Sequence, residues 1–273
     1  MSSKKELRES TCTDNSGDTT QSLTNRSGGL REAESLLDIV KKEIPDVSHI
    51  SETKQPLPKI AVVVDDLGPN KRPVQSLLNS DAPLVFSILP HEAHSKWIAD
   101  TAYERGHEII AHIPMEAETE KKLGAGGLYT WMKADEIQEV LEKDVETIPH
   151  IIGISNHMGS AFTADEKAMD VLMAALKKRK FVFLDSMTTQ TSAGTIAARK
   201  HGVHLYKRNI FLDNKDDPAY IEQQWEKAVM IAKERGYAIV LAHPRKNTIT
   251  FLEKTLRKND VEFVTLSELS VVQ

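Results

Sequence analysis

The chain has one cysteine, Cys12, among 273 residues. This excludes an intrachain disulfide framework and any multi-cysteine zinc knuckle, so a bound metal must be held by His, Asp or Glu. There is no excess of positive charge: the formal net charge is -5, and no aromatic residues are interleaved with Lys and Arg. Nucleic acid is therefore not an expected partner. No apolar run approaches the roughly 20 residues needed to cross a bilayer, so no transmembrane segment is expected. Lys4 and Lys5 are followed by no apolar stretch, and the chain as read shows no export leader. The remaining composition, 40% hydrophobic and 27% charged, is that of a globular protein with a sizeable core.

Three segments differ in character. Residues 1–29 are Ser-, Thr-, Asn-, Asp- and Gly-rich with almost no large apolar side chains. They bury too little to offset chain entropy and read as disordered. Residues 30–57 comprise an amphipathic stretch, Leu30–Ile44, read as a short helix, and a linker leading to Pro58. From 58 to 273, short β-branched runs alternate with longer amphipathic ones. Strands are expected at Ile60–Val64, Leu84–Ile88, Glu108–Ala111, Ile151–Ile154, Phe181–Leu184, His204–Tyr206, Ala238–Leu241 and Val261–Thr265. Helices are expected between most of them, one opened by a capping box from Thr163 to Glu166. This rhythm predicts an α/β domain with a parallel sheet, and about eight strands in one domain favour a barrel.

Polar residues cluster just after the apolar runs: Asp65 and Asp66, His91, His112, Asn156 and His157, Asp185, and His243. In a parallel α/β barrel those strand ends share one face, so residues distant in sequence are expected in one pocket. A carboxylate with histidines and no cysteine suits a divalent, zinc-like ion, and His112, His157 and one Asp supply three ligands. The chemistry implied is metal-assisted hydrolysis. Adjacent strand residues point to opposite sides, so one of the two aspartates can ligate while the other serves as general base. A denser binuclear site is disfavoured because strand-end histidines are few. A barrel that only binds glycans or a cell-envelope partner stays open as an alternative.

The ordered set "VVVDDLG", "GHEIIAHIPME", "GISNHMGSAFTAD", "FLDSMT", "RNIFLDN" and "LAHP" resembles the divergent polysaccharide deacetylase family, a branch of the NodB-like carbohydrate esterases with a distorted (β/α) barrel. The resemblance covers 59–269. It implies a metal-dependent, zinc-using carbohydrate deacetylase, with a secreted or cell-envelope location. Carried over residue by residue, it implies Asp65 as general base, Asp66 and His112 as metal ligands, and His243 as the acid that protonates the leaving amine. Asp185 would be the partner that tunes His243. The position four after His112 is Glu116 rather than histidine, so the third ligand is either Glu116 or His157, with the Asn-His element favouring His157. Asn156, Arg208 and Glu116 are the candidate substrate contacts. Arg208 and Asp213 either touch substrate or form a buried ion pair. The Arg-x-Pro-Tyr element of the wider superfamily is absent. "LGAGGLY" lacks the spacing of a phosphate cradle and reads as a mobile lid. Trp131 and Met132 beside it either line a sugar site or pack in the core.

Overall fold

The computed structural model describes residues 57–119 and 122–269. The disordered segment and the helix expected before residue 57 lie outside the described residues. Within them, the expected barrel is present in open form. Strands β1 (Lys59–Leu67), β2 (Val85–Ile88), β3 (Glu108–Met115), β4 (Ile151–Met158), β5 (Val182–Asp185), β6 (Leu205–Lys207), β7 (Ile210–Phe211) and β8 (Tyr237–Ala242) form one parallel sheet. Its order is β6-β5-β4-β3-β2-β1-β8-β7. β6 and β7 are consecutive in the chain yet stand at opposite ends of that order, so the curled sheet stays open between them. β8 runs along β1 from Lys59 to Val64. The other edge of β1 is divided between β9 (Glu262–Phe263), paired at Lys59 and Ile60, and β2, paired from Val63.

Helices α1 (Ser95–Glu104), α2 (Ala134–Glu146), α3 (Glu166–Arg179), α4 (Gly194–His201), α5 (Pro218–Arg235) and α6 (Lys246–Thr255) provide the crossovers. Their ends follow local chemistry. Asp217 accepts from the Tyr220 N–H, Pro218 opens α5, and Gly236 closes it in the left-handed region. The expected Thr163 box is not what starts α3. Thr163 Oγ1 donates to Gly159 O, and Asp165, two residues nearer the helix, accepts from the Ala168 N–H at 2.8 Å.

Period-two alternation divides the core in two. On β1, Ile60, Val62 and Val64 pack toward the helices, while Ala61 and Val63 face the barrel interior with Val85, Ile110, Leu184, Ile239 and Leu241. Val264, Leu266 and Leu269 close the interior from the C-terminal segment. Glu108 secures that plug: its carboxylate accepts the N–H groups of Leu266 at 2.9 Å and Ser267 at 3.2 Å, while the Tyr206 hydroxyl donates to Leu266 O. Burial raises the Glu108 pKa. Glu108→Ala is expected to cost about 3 kcal/mol, because it leaves backbone donors in the plug without acceptors. An unchanged denaturation midpoint would show that the plug does not depend on this contact.

Candidate active site

The same alternation builds a polar cup above the apolar plug. Two residues beyond the inward-facing Val63, Val85, Ile110 and Leu241 stand Asp65, Ser87, His112 and His243, and on β4 the corresponding positions are Ser155 and His157. β1, β3 and β4 run three or four residues further than the sequence pattern suggests, which places Asp65, Asp66, His112 and His157 within strands rather than in loops.

Asp66 departs from simple alternation. It has φ +59, and the pairing of β1 with β2 shifts register between Val64 and Leu67. The two aspartates therefore do not diverge as expected, and both face His112. Asp65 Oδ1 lies 3.6 Å from His112 Nδ1, and Asp66 Oδ1 lies 3.3 Å from His112 Nε2 and 2.8 Å from His157 Nδ1. A non-glycine residue in the left-handed region costs about 1–3 kcal/mol. Met158 (φ +56) and Met187 (φ +51) adopt it too, at or just past the C-terminal ends of β4 and β5. Strain thus collects at the rim that carries the polar residues.

Asp66, His112 and His157 offer ligand atoms all within 4.8 Å of one another. Asp66 Oδ1 is buried and has no well-directed hydrogen bond, although two imidazole nitrogens approach it. Proton bookkeeping along a buried chain explains how His112 is prepared. Its Nδ1 is 2.7 Å from Ser155 Oγ, which is 2.8 Å from Ser87 Oγ, and Ser87 in turn stands beside Asp65 and favours its ionised form. Each hydroxyl has one proton, so with Asp65 ionised the chain runs His112 Nδ1–H to Ser155, Ser155 to Ser87, and Ser87 to Asp65. Nε2 is then a bare lone pair aimed at Asp66, the tautomer a metal ligand needs. The donor set fits a divalent ion.

The electrostatics separate the two aspartates. Burial raises the Asp65 pKa, an effect that His112, Ser87 and His243 oppose without cancelling. Burial also disfavours ionised Asp66, but the two imidazoles that approach it, when protonated, outweigh burial and hold this carboxyl far below the ordinary range.

His243, just past β8, turns Nε2 toward Asp66 Oδ2 at 3.7 Å. Its partner is not Asp185. Its Nδ1 lies 2.8 Å from Asp213 Oδ1, and its N–H donates to Asp213 Oδ2 at 2.8 Å. Thr248 Oγ1 also donates to Oδ2, and the Arg245 guanidinium donates to the Asp213 carbonyl. Burial lowers the His243 pKa, but Asp213, with the charges of Asp65 and Asp66, more than compensates and the net shift is upward. Asp213 shifts downward for the same contact. Asp185 fails as the partner because of parity: Leu184 faces the interior and Phe183 the helices, so Asp185 turns outward. There it accepts from Ser192 Oγ and the Met187 N–H.

The candidate substrate contacts also prove to be engaged with the protein. Asn156, on the helix side of β4, accepts from the Ser186 N–H and donates to Met158 O, tying β4 to the β5 loop. Glu116 is outside the Asp66–His112–His157 cluster, since its Oε2 accepts both the N–H and the hydroxyl of Thr130. Arg208 donates to the Ser186 and Met187 carbonyls and lies over Phe211. It forms no ion pair with Asp213. Burial lowers its pKa, while the charges of Asp185 and Asp65 act in the opposite sense. His91 is not in the cup; it pairs with Asp144 at 2.7 Å. Sequence reading missed Ser87, Ser155 and Thr248, although the first two are spaced two residues from inward-facing positions.

A family model described as divergent polysaccharide deacetylase matches residues 62–270, which span every residue of this cup. The chain belongs to the divergent polysaccharide deacetylase family. Among its relatives, the uncharacterized protein YibQ of Escherichia coli K12 is 32% identical over 196 residues, covering 72% of this chain and 61% of YibQ. The chain thus spans less than two thirds of that relative. An uncharacterized protein of Haemophilus influenzae is also 32% identical, over 77% of this chain and 76% of its own length. Among solved structures, an uncharacterized protein of Agrobacterium tumefaciens C58 superimposes with a TM-score of 0.69 at 23% identity, covering 74% of this chain and 83% of that one. That likeness establishes a shared fold.

Proposed function

We propose that the protein is a metal-dependent hydrolase that removes acetyl groups from N-acetylated sugars of a cell-envelope polysaccharide. The observation that carries this reading is the Asp66–His112–His157 cluster with Asp65 on one side and His243 on the other. A divalent ion held by those three residues, zinc by the softness of two imidazoles, would supply Lewis acidity toward an acyl oxygen and acidify water. Asp65 is the base that accepts the proton of the attacking water. Its raised pKa suits that task, since a base works best when its pKa approaches the working pH. His243 Nε2 donates a proton to the departing amine nitrogen, and the Asp213 contact at Nδ1 fixes which nitrogen is available and favours the charged ring. The Ser87–Ser155 pair links base and ligand, so the ionised state of one supports the ligating tautomer of the other.

The test is metal content by elemental analysis, followed by acetate release from N-acetylated oligosaccharides. Wild-type protein is expected to retain about one equivalent of zinc, while Asp66→Ala and His157→Ala retain little. Chelation should abolish acetate release and added zinc restore it. Failure to take up zinc, cobalt or nickel would remove the hydrolytic reading and leave a glycan-binding barrel.

A further inference from the structure

Trp131 is 70% exposed, among the most exposed of the large hydrophobic side chains described. It does not pack in the core. It lies against Tyr129 in a stacked arrangement, with ring centroids 5.5 Å apart and planes inclined by 24°. An indole left this open adds little to folding, yet the segment carrying it is tied down on both sides. Leu128 N donates to Pro114 O and Glu116 N to Leu128 O, which joins the segment to the end of β3 at Met115. Between the two rings, Thr130 gives Glu116 Oε2 its N–H at 2.7 Å and its hydroxyl at 2.6 Å.

Upstream, Gly126 (φ +77) rests so close to buried Asp144 that a Cβ there would stand 2.0 Å from Asp144 Oδ1. The contact admits only glycine, on grounds of both space and backbone. Burial pushes the Asp144 carboxyl up to about 7 despite its bond to His91. Glu116 thus holds the described part of this segment through Thr130, and Gly126 packs against Asp144.

The location points to the ligand. Met115 is three residues beyond His112 on the same strand, about 10 Å at strand rise. Met115 also pairs with Met158, next to His157. The segment that carries the aromatic pair therefore adjoins the C-terminal end of β3, at the same rim of the sheet as the Asp66–His112–His157 cluster.

We propose that Tyr129 and Trp131 form a stacking platform for a second pyranose ring of the glycan, beside the one that reaches the cup. This rests on the deacetylase reading given above. A pyranose presents an apolar C–H face to an aromatic ring while its hydroxyl edge remains in water, which suits an indole that is half contact surface and half solvated. A nucleobase would stack equally well, but single-strand binders set their aromatics in a positively charged groove. This chain has a formal net charge of -5, which does not favour a polyanion. Glu116 is a positioning residue, acting through Thr130.

The experiment uses the full chain with N-acetylglucosamine and its β-1,4-linked tetramer as probes. Dissociation constants come from calorimetry on zinc-loaded protein, and KM from acetate release. Trp131→Ala is expected to weaken tetramer binding and raise its KM about tenfold, with zinc content and monomer binding unchanged. Trp131→Phe should keep most of the affinity, and Glu116→Gln should reproduce part of the loss. The platform is overturned if Trp131→Ala binds the tetramer as well as wild type does, or if wild type binds tetramer no better than monomer. Tetramer binding that depends on Trp131 with no acetate released from either probe would keep the platform and remove the catalytic reading instead.

Discussion

Asp65→Asn is expected to lower acetate release by about 10²–10⁴-fold, the usual range for loss of a positioned general base, while zinc stays bound. Asn keeps the size of the side chain and can still accept from Ser87, so the cup need not rearrange. What it loses is the capacity to take a proton. The metal should persist because the ligand atoms come from Asp66, His112 and His157, and Asp65 Oδ1 faces Nδ1 of His112 rather than the ligating Nε2. Asp66→Asn should behave oppositely, losing metal and activity together, since it removes the anionic oxygen that both imidazoles approach. Parallel metal analysis and single-turnover rates on the two variants check the division of roles. Loss of zinc from Asp65→Asn would assign both carboxylates to the metal.

Much of this arrangement was legible from strand alternation. Apolar runs ending in Asp, His or Asn identified the strands and the face on which their ends meet, because in parallel α/β architecture every C-terminal end points the same way. The residues brought together, Asp65, Asp66, His112, His157 and His243, were all named on that ground. What did not follow was orientation near the strand ends. Asp66 escapes alternation because a left-handed residue and a register shift follow Val64, and neither has a signature in "VVVDDLG". Helical caps failed similarly: Thr163 and Asp165 are both competent, and only tertiary contact with Gly159 diverts the threonine.

Had strand parity been applied consistently, it would also have turned aside Asp185 and Asn156. Both follow interior-facing residues by one position and so face the helix layer, where each is consumed by loop contacts. The missed pairing has a different cause. β7 is two residues long and carries no periodicity, so nothing announced that Asp213 follows a strand adjoining β8. In the folded sheet Ile210 pairs with Val240 and Phe211 with Leu241, and that register sets Asp213 beside His243 two positions further on. The pairing is thus a product of the crossover through α5, which lays the consecutive strands β7 and β8 side by side.

This makes Asp213→Asn the second variant with a large expected effect. Asp213 Oδ1 accepts the His243 Nδ1–H, and Oδ2 receives the His243 N–H and the Thr248 hydroxyl, which leaves no freedom in how the carboxylate sits. Asn at this position must keep its oxygen on the two donors at Oδ2, so its NH₂ group faces Nδ1 of His243. A donor there forces Nδ1 to accept, moves the imidazole proton to Nε2, and removes the charge that favours the imidazolium. Loss of the equivalent carboxylate in a histidine-based hydrolytic site, with geometry intact, costs about 10⁴-fold. A fall of about 10²–10⁴ in acetate release is expected here, with zinc and the fold retained. Asp185→Asn should change the rate by less than about tenfold, because its contacts with Ser192 and Met187 are turned away from the cup. Measured on one oligosaccharide, a larger loss from Asp185→Asn than from Asp213→Asn would return the tuning role to Asp185.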